Sequence, residues 1–323
     1  MKILVTGAAG FIGSHVAQKL LARGDEVVAL DNFAPNYSRA RKEANLAEYA
    51  DHAHCEFVEA DVRGAEHMRD LFLHHKFDRV AHLAAMGNVR YSIEHAPEYA
   101  TVNVMGTVNL LEAARLSGTR YFVYASTSSV YGSTEVIPFV ETAPAMRPLA
   151  PYPATKIACE VMAHTYHIAF DLKCTGLRFF NVYGPRGRPD MMPYVFTDKI
   201  STGQPIRVFA EGRPERDWTY IDDIVSGVVA ALDAGCDYEI FNLGRGQPIV
   251  LSRFIEIIEG LVGRKASVEH APLPPTEPMI TFANVDKAAR LLNYHPQTSI
   301  EEGLARFYEW YQRASTNRQR INE

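Results

Sequence analysis

The chain has 323 residues and a formal net charge of −5, with 47% hydrophobic and 22% charged residues, enough for one or two domains around a large core. No apolar run reaches the ~18 residues a membrane span requires, and the acidic balance argues against nucleic acid as a partner. Met1 to Val5 lead straight into a structured motif with no signal-peptide cleavage pattern, and Cys55, Cys159, Cys174 and Cys236 form no CxxC pair, which suits reduced thiols in the cytoplasm.

Lys2 to Thr6 read as a short apolar strand, followed at once by Gly7-Ala8-Ala9-Gly10-Phe11-Ile12-Gly13 and a helix with Val16, Leu20 and Leu21 at helical spacing. Glycines at such a turn let the backbone approach a pyrophosphate, and the helix N-terminus supplies free N–H groups. The GxxGxxG spacing departs by one residue from GxGxxG, and a glycine pattern alone is weak evidence. Its place between a strand and a helix is the stronger signal. The next strand, Glu26 to Leu30, ends on Asp31; an acid there can bind the adenosine ribose and would repel a 2′-phosphate, which favours NAD over NADP.

Residues 32–53 read as a polar loop and a charged helix. Glu56 to Val62 form a third strand, where Asp61 can meet adenine or cap the next helix. Arg79 to Ala85 are the fourth strand and its exit. A helix over Ala100 to Leu116 precedes a strand from Tyr121 to Ala125. This alternation predicts an α/β fold with a doubly wound parallel sheet. After Ser126-Thr127-Ser128-Ser129 comes Tyr152-Pro153-Ala154-Thr155-Lys156, with Pro151 and Pro153 suited to a first helical turn. Tyr152 and Lys156 are an i, i+4 pair on one helix face. An ammonium beside a phenol is expected to lower the tyrosine pKa and make it an acid/base near neutrality, with Thr127 relaying its proton.

Taken together, Thr6 to Gly13, Asp31-Asn32, Asp61-Val62, His82-Leu83-Ala84-Ala85, Ser126 to Gly132, Tyr152…Lys156, Arg178 to Pro185 and Arg216 to Asp223 resemble the extended short-chain dehydrogenase/reductase family. Within it the chain is most similar to nucleotide-sugar 4-epimerases, and among those to UDP-glucuronate 4-epimerases, through Val89-Arg90-Tyr91-Ser92, Met162 to Tyr166 and Gly187-Arg188-Pro189-Asp190-Met191. The resemblance implies a Rossmann domain over 1–178 plus 219–243 and a smaller α/β nucleotide-sugar lobe over 179–218 plus 244–311, with a polar, frayed tail over 312–323. It implies NAD held by Gly7, Gly10, Phe11, Ile12, Gly13, Asp31, Asn32, Asp61, Val62, Leu83, Ala84, Ala85 and Asn103, together with Tyr152 and Lys156. Tyr152 would deprotonate the sugar 4-hydroxyl while C4 gives hydride to the nicotinamide. Lys156 would bind the nicotinamide ribose, and Thr127 would sit in the proton path.

Relatives that eliminate or decarboxylate carry acidic residues after the catalytic threonine, whereas this chain has Ser128-Ser129, which offer no carboxyl group. Epimerisation remains. With a uronate, the carboxylate lies β to the 4-ketone and can leave as carbon dioxide unless a cation pins it; Arg188 matches the family position given that task. Asn181 stands where glucuronate epimerases have Thr, and Arg186 where a bulky residue is often found. UDP-glucuronate is therefore placed ahead of UDP-glucose/UDP-galactose, with a neutral hexose as the alternative. The implied substrate contacts are Arg90, Ser128, Ser129, Asn181, Arg188, Val208 on a strand along the uridine, and Arg216 at the diphosphate. Arg207 and Arg213 are weaker candidates.

Residues 271–280 depart from relatives that place an Arg or Pro-Gly-Asp there, which puts diphosphate contacts from that segment in doubt. Asp222 and Asp223 read as caps of the helix through Val228. Glu160, His164 and His167 line one helix face, but no fourth ligand supports a metal, and none is expected. Helices near 98–117 and 152–170 resemble the family's dimer contact, so a homodimer is expected. Two further classes compete: a net NAD-dependent oxidoreductase using the same Tyr-Lys chemistry, and a non-catalytic dinucleotide-binding regulator. The regulator would normally have lost Tyr152 or Lys156, and this chain keeps both.

Overall fold

The computed structural model describes residues 1–134, 136–143, 147–274 and 277–321, with side chains to residue 314. Seven strands make one parallel sheet: β1 (Lys2–Thr6), β2 (Glu26–Asp31), β3 (Cys55–Glu59), β4 (Arg79–His82), β5 (Tyr121–Thr127), β6 (Lys173–Phe179) and β7 (Tyr238–Leu243), in the order β7-β6-β5-β4-β1-β2-β3. Ile3, Leu4 and Val5 are fully buried, as continuous apolar strands must be when helices cover both faces.

One face is covered by α1 (Phe11–Ala22) and, later in the chain, Ile221–Ala234; the other by α2 (Ala65–His75), α3 (Gly106–Ser117) and α4 (Pro151–Phe170). The chain leaves β1 towards β2 and β3 and then returns to β4 on β1's other side. The C-terminal ends of β1 and β4 therefore flank a switch point, where open α/β sheets bind ligands. Smaller pairings follow: Asn181–Tyr183 with Trp218–Tyr220, Ile206–Phe209 with Val268–Ala271, and Glu215–Arg216 between Ile249–Val250 and Ile280–Thr281. Buried Asp217 knits the last group together, accepting N–H bonds from Arg245 (2.7 Å), Gly246 (2.9 Å) and Ala283 (3.0 Å).

Three expectations change. The helix predicted from Ala100 is π-helical over Ala100–Met105 before α3 begins, and the carbonyl of Asn103 accepts from the Thr107 hydroxyl (2.6 Å) and the Cys159 thiol (3.2 Å). Asp222 and Asp223 lie in the first turn of Ile221–Ala234 without capping it. Asp223 instead accepts the backbone N–H groups of Gln297 and Thr298, both at 3.1 Å, and so ties down the approach to the last helix. That helix, α5 (Ile300–Ile321), runs through most of the expected tail, since no Gly or Pro interrupts the chain after Gly303. Among the described residues no helix is long and apolar enough to cross a membrane.

Candidate active site

The dinucleotide cradle is built where β1 turns into α1. Gly7 has φ +69°, and a Cβ added there would lie 2.8 Å from the Ala84 backbone nitrogen; one on Gly13 would collide with the Gly7 carbonyl oxygen. Only glycine lets the turn pack this closely against the exit of β4. Leu83 N–H bonds the Thr6 carbonyl (3.2 Å) and Ala84 N–H the Thr6 hydroxyl (3.1 Å), so Leu83 and Ala84 lie against the glycine turn, with Ala85 next in the chain. Gly10 begins α1 with no side chain capping the free N–H groups, leaving the dipole's positive end open to phosphate.

Asp31, at the end of β2, accepts from Phe33 N–H (2.8 Å) and Ala9 N–H (3.1 Å), which fixes its carboxylate beside the glycine turn. Asn32 donates to Asp61 (2.8 Å), and the Arg63 guanidinium holds the Asp61 carboxyl below its ordinary range; Val62 is buried against Gly106. These residues fit an NAD adenosine half. Asn103 sits apart from them: its amide takes Met86 N–H (2.8 Å) and donates to the Met86 carbonyl (3.0 Å) and the Thr155 hydroxyl (3.0 Å). It shapes the loop after β4 while its own side chain is fully engaged with protein.

Tyr152 enters α4 at its first turn, its backbone N–H bonded to the Ser92 hydroxyl at 3.1 Å, and Thr155 donates to the Tyr152 carbonyl at 2.7 Å. One turn on, Lys156 is 2% exposed, and among the described residues its ammonium forms no hydrogen bond. A buried cation without an acceptor fits a cofactor bearing ribose hydroxyls. Burial lowers its pKa, opposed by Cys159 and Glu160. The expected lowering of Tyr152 is not found: burial raises its phenol above the ordinary value, opposed by the Thr127 hydroxyl and the charge of Arg188. Tyr152 and Lys156 both lie in low dielectric, and for the phenol the loss of solvation outweighs the help of Thr127 and Arg188.

Thr127 ends β5 and accepts Ser129 N–H at 3.2 Å, opening the short turn Ser128–Tyr131 that sets both serines beside the crevice. Beneath it, Ser126 donates to Glu160 (2.6 Å), and Glu160 forms a two-pronged pair with Arg178 at 2.9 and 2.8 Å, all three buried. This clasp joins the strand carrying Thr127 to the helix carrying Tyr152.

Arg188 faces the phenol. A Cβ added to Gly87 would lie 3.1 Å from Arg188 Nη1 and 3.8 Å from the Tyr152 hydroxyl, so both polar groups border the small space over that residue. Arg188 Nε and Nη2 donate to Asp190 at 3.0 and 2.6 Å, and Nη1 to the Gly87 carbonyl at 3.3 Å. Further out, Glu277 joins Arg216 (3.0 Å) and Arg90 (3.0 Å), and Arg90 also lies 5.0 Å from the centre of the Phe209 ring. Asn181 is half-buried, and among the described residues its side-chain amide forms no hydrogen bond. Val208 turns its side chain into the core, so a ligand along that strand would meet its backbone. Arg186 packs away from Tyr152, donating to Gln18 on α1 at 2.8 Å.

Sequence reasoning missed Ser92, Asn88, Asp190 and Glu277 as site-builders. Asp190 lies inside the Gly187-to-Met191 motif, and its i, i+2 spacing to Arg188 is its local signal. Glu277 belongs to the segment left in doubt, of which residues 275–276 lie outside the described residues. Among the described residues no cluster of His, Cys, Asp and Glu is arranged to hold a metal ion; Glu160 is spent on Arg178, and His164 packs against Tyr238.

The chain is 41% identical to a UDP-glucuronate 4-epimerase of Thermodesulfobacterium geofontis over 95% of each chain. The UDP-glucuronic acid 4-epimerase of Bacillus cereus, solved with UDP-glucuronic acid and NAD, superposes with a TM-score of 0.91 at 36% identity, covering 97% of this chain and all of that one. A UDP-glucose 4-epimerase of Thermotoga maritima, solved with UDP-glucose, reaches 0.90 at 31% identity over 97% of this chain and 99% of its own. The profile of the NAD dependent epimerase/dehydratase family matches residues 3–244, more than half of the sequence. The chain belongs to that family.

Proposed function

We propose that the protein interconverts the C4 epimers of a UDP-sugar, foremost UDP-glucuronate and UDP-galacturonate, with no net redox change. The observation that carries this reading is the meeting of Tyr152 and Arg188 over Gly87, an acid/base beside a carboxylate-binding group. Tyr152, in its phenolate form, which the Thr127 hydroxyl and the Arg188 charge favour against burial, takes the proton of the 4-hydroxyl, with Thr127 alongside to pass it, and returns it once the 4-keto sugar has turned over. When bound, NAD accepts the C4 hydride and gives it back to the opposite face. Lys156 holds the cofactor's ribose, and Asp31 selects NAD over NADP.

Ser128 and Ser129 bind the sugar but supply no carboxyl for elimination. Arg188 keeps the uronate carboxylate from turning its C5–C6 bond perpendicular to the ketone, the geometry in which carbon dioxide leaves. Arg216, with Arg90 outside it, holds the diphosphate. Residues 1–178 plus 219–243 carry the cofactor, and 179–218 plus 244–311 the nucleotide sugar. A neutral hexose is the second reading, supported by Asn181, whose amide forms no hydrogen bond among the described residues and can bond a sugar hydroxyl.

A homodimer is supported by Met105, Leu116, Val161 and Ile168, large apolar side chains exposed on α3, α4 and the turn before α3. Four free cysteines support a reducing, cytoplasmic setting. Separate incubation with UDP-glucuronate and UDP-glucose, with the products resolved chromatographically, tests the substrate. Conversion of the uronate to its C4 epimer is expected; turnover of the hexose alone, or steady accumulation of NADH, would reject the main reading.

A further inference from the structure

We propose that Asp190 is a specificity-determining positioning residue: it fixes the Arg188 guanidinium in the one orientation that offers its remaining N–H groups to a substrate carboxylate. The proposal rests on the uronate reading above. A guanidinium carries five N–H donors in a rigid plane. Asp190 takes the Nε donor and one on Nη2, and the Gly87 carbonyl takes one on Nη1. One N–H is left on each terminal nitrogen, and Nη1 borders the space that the Tyr152 hydroxyl also borders. Arg188 therefore needs to give up neither existing partner to bind a carboxylate beside the phenol.

Asp190 is itself held from behind. Asn88 donates to it at 3.0 Å, and the Asn88 backbone is fixed by the Tyr99 hydroxyl, which donates to its carbonyl (2.7 Å) and accepts its N–H (3.2 Å). The Tyr99 ring meets that of Tyr152 edge-on, with centroids 6.1 Å apart. A chain of contacts thus runs from the guanidinium through Asp190, Asn88 and Tyr99 back to the acid/base. Without Asp190 the long arginine side chain regains rotamer freedom, which must be lost again each time a carboxylate binds.

The test uses the purified holoenzyme and its Asp190→Ala and Asp190→Asn variants. KM and kcat are measured for UDP-glucuronate, and the competitive inhibition constant for UDP, which has no sugar. Asp190→Ala is expected to raise the uronate KM about tenfold, the loss of roughly one charge-assisted bond's worth of orientation, with the UDP constant unchanged within about twofold. Asp190→Asn, which keeps an acceptor but no charge, should fall between. An unchanged uronate KM overturns the role of Asp190 alone, as does equal weakening of UDP, which would mark a merely structural loop. No turnover of UDP-glucuronate by the wild-type protein overturns the substrate reading and this proposal together.

Discussion

The clasp behind Tyr152 is built from the main sheet and a long helix, whereas the groups around Arg216 come from two-residue strands and loops. The first region is dry: Ser126, Glu160 and Arg178 are buried and bonded to one another, and the Asn103 amide is spent on protein. The second is wetter, with the Arg90 side chain 57% exposed and a single carboxylate, Glu277, shared between two arginines. Proton and hydride transfer tolerate little misplacement, so their groups sit on rigid elements. Recognition of a diphosphate tolerates more, and exposed ion pairs that cost little to rearrange suffice there.

Substitutions should separate the two regions. Tyr152→Phe is expected to cut turnover by about 10²–10⁴-fold while leaving bound NAD and the thermal midpoint unchanged; retained activity would remove the phenol from the chemistry. Glu160→Ala leaves the Arg178 charge buried without its partner, and urea denaturation should register a loss of about 3–5 kcal/mol. A loss below about 1 kcal/mol would show that the clasp is not what secures the Tyr152 side. On the recognition side, Arg216→Ala should raise KM for the UDP-sugar about 10–100-fold with little change in kcat, as for one or two charge-assisted bonds. Arg90→Ala, at an exposed pair, should change KM by less than about fivefold. Equal effects at the two arginines would erase the distinction between inner and outer contacts.

A further effect concerns pH. His15 is packed beside Phe11 on α1, and burial together with the Arg186 charge lowers its pKa from 6.5 to about 3. The unfolded chain takes up this proton below about 6.5 while the folded chain does not until about 3, so the unfolded state binds more protons in that window. Stability should therefore fall as the pH drops through it, and His15→Gln should make the slope shallower. An unaltered slope would show that other groups govern acid unfolding.

What could be read in advance was local. The glycine turn, Asp31 at the end of β2 and the Tyr152–Lys156 pair each declare themselves within a few residues, because a strand, a tight turn or one helical turn fixes their relation. What escaped depends on loops that meet across long stretches of chain: Ser92 with Tyr152, Asn88 with Asp190, Arg90 with Glu277. Spacing also puts Tyr152 and Lys156 on one helix but gives the wrong direction for the phenol's pKa shift, because periodicity does not report depth. Asp223 failed in the same way, as an acid in a first turn whose partners lie just before the last helix.

The most direct measurement follows the hydrogen on C4. With UDP-glucuronate deuterated at that carbon, the C4 epimer recovered after turnover should carry the deuterium still, with none released to water and no net NADH formed. Washout of the label, or its transfer to a released dinucleotide, would contradict hydride that leaves one face of the sugar and returns to the other.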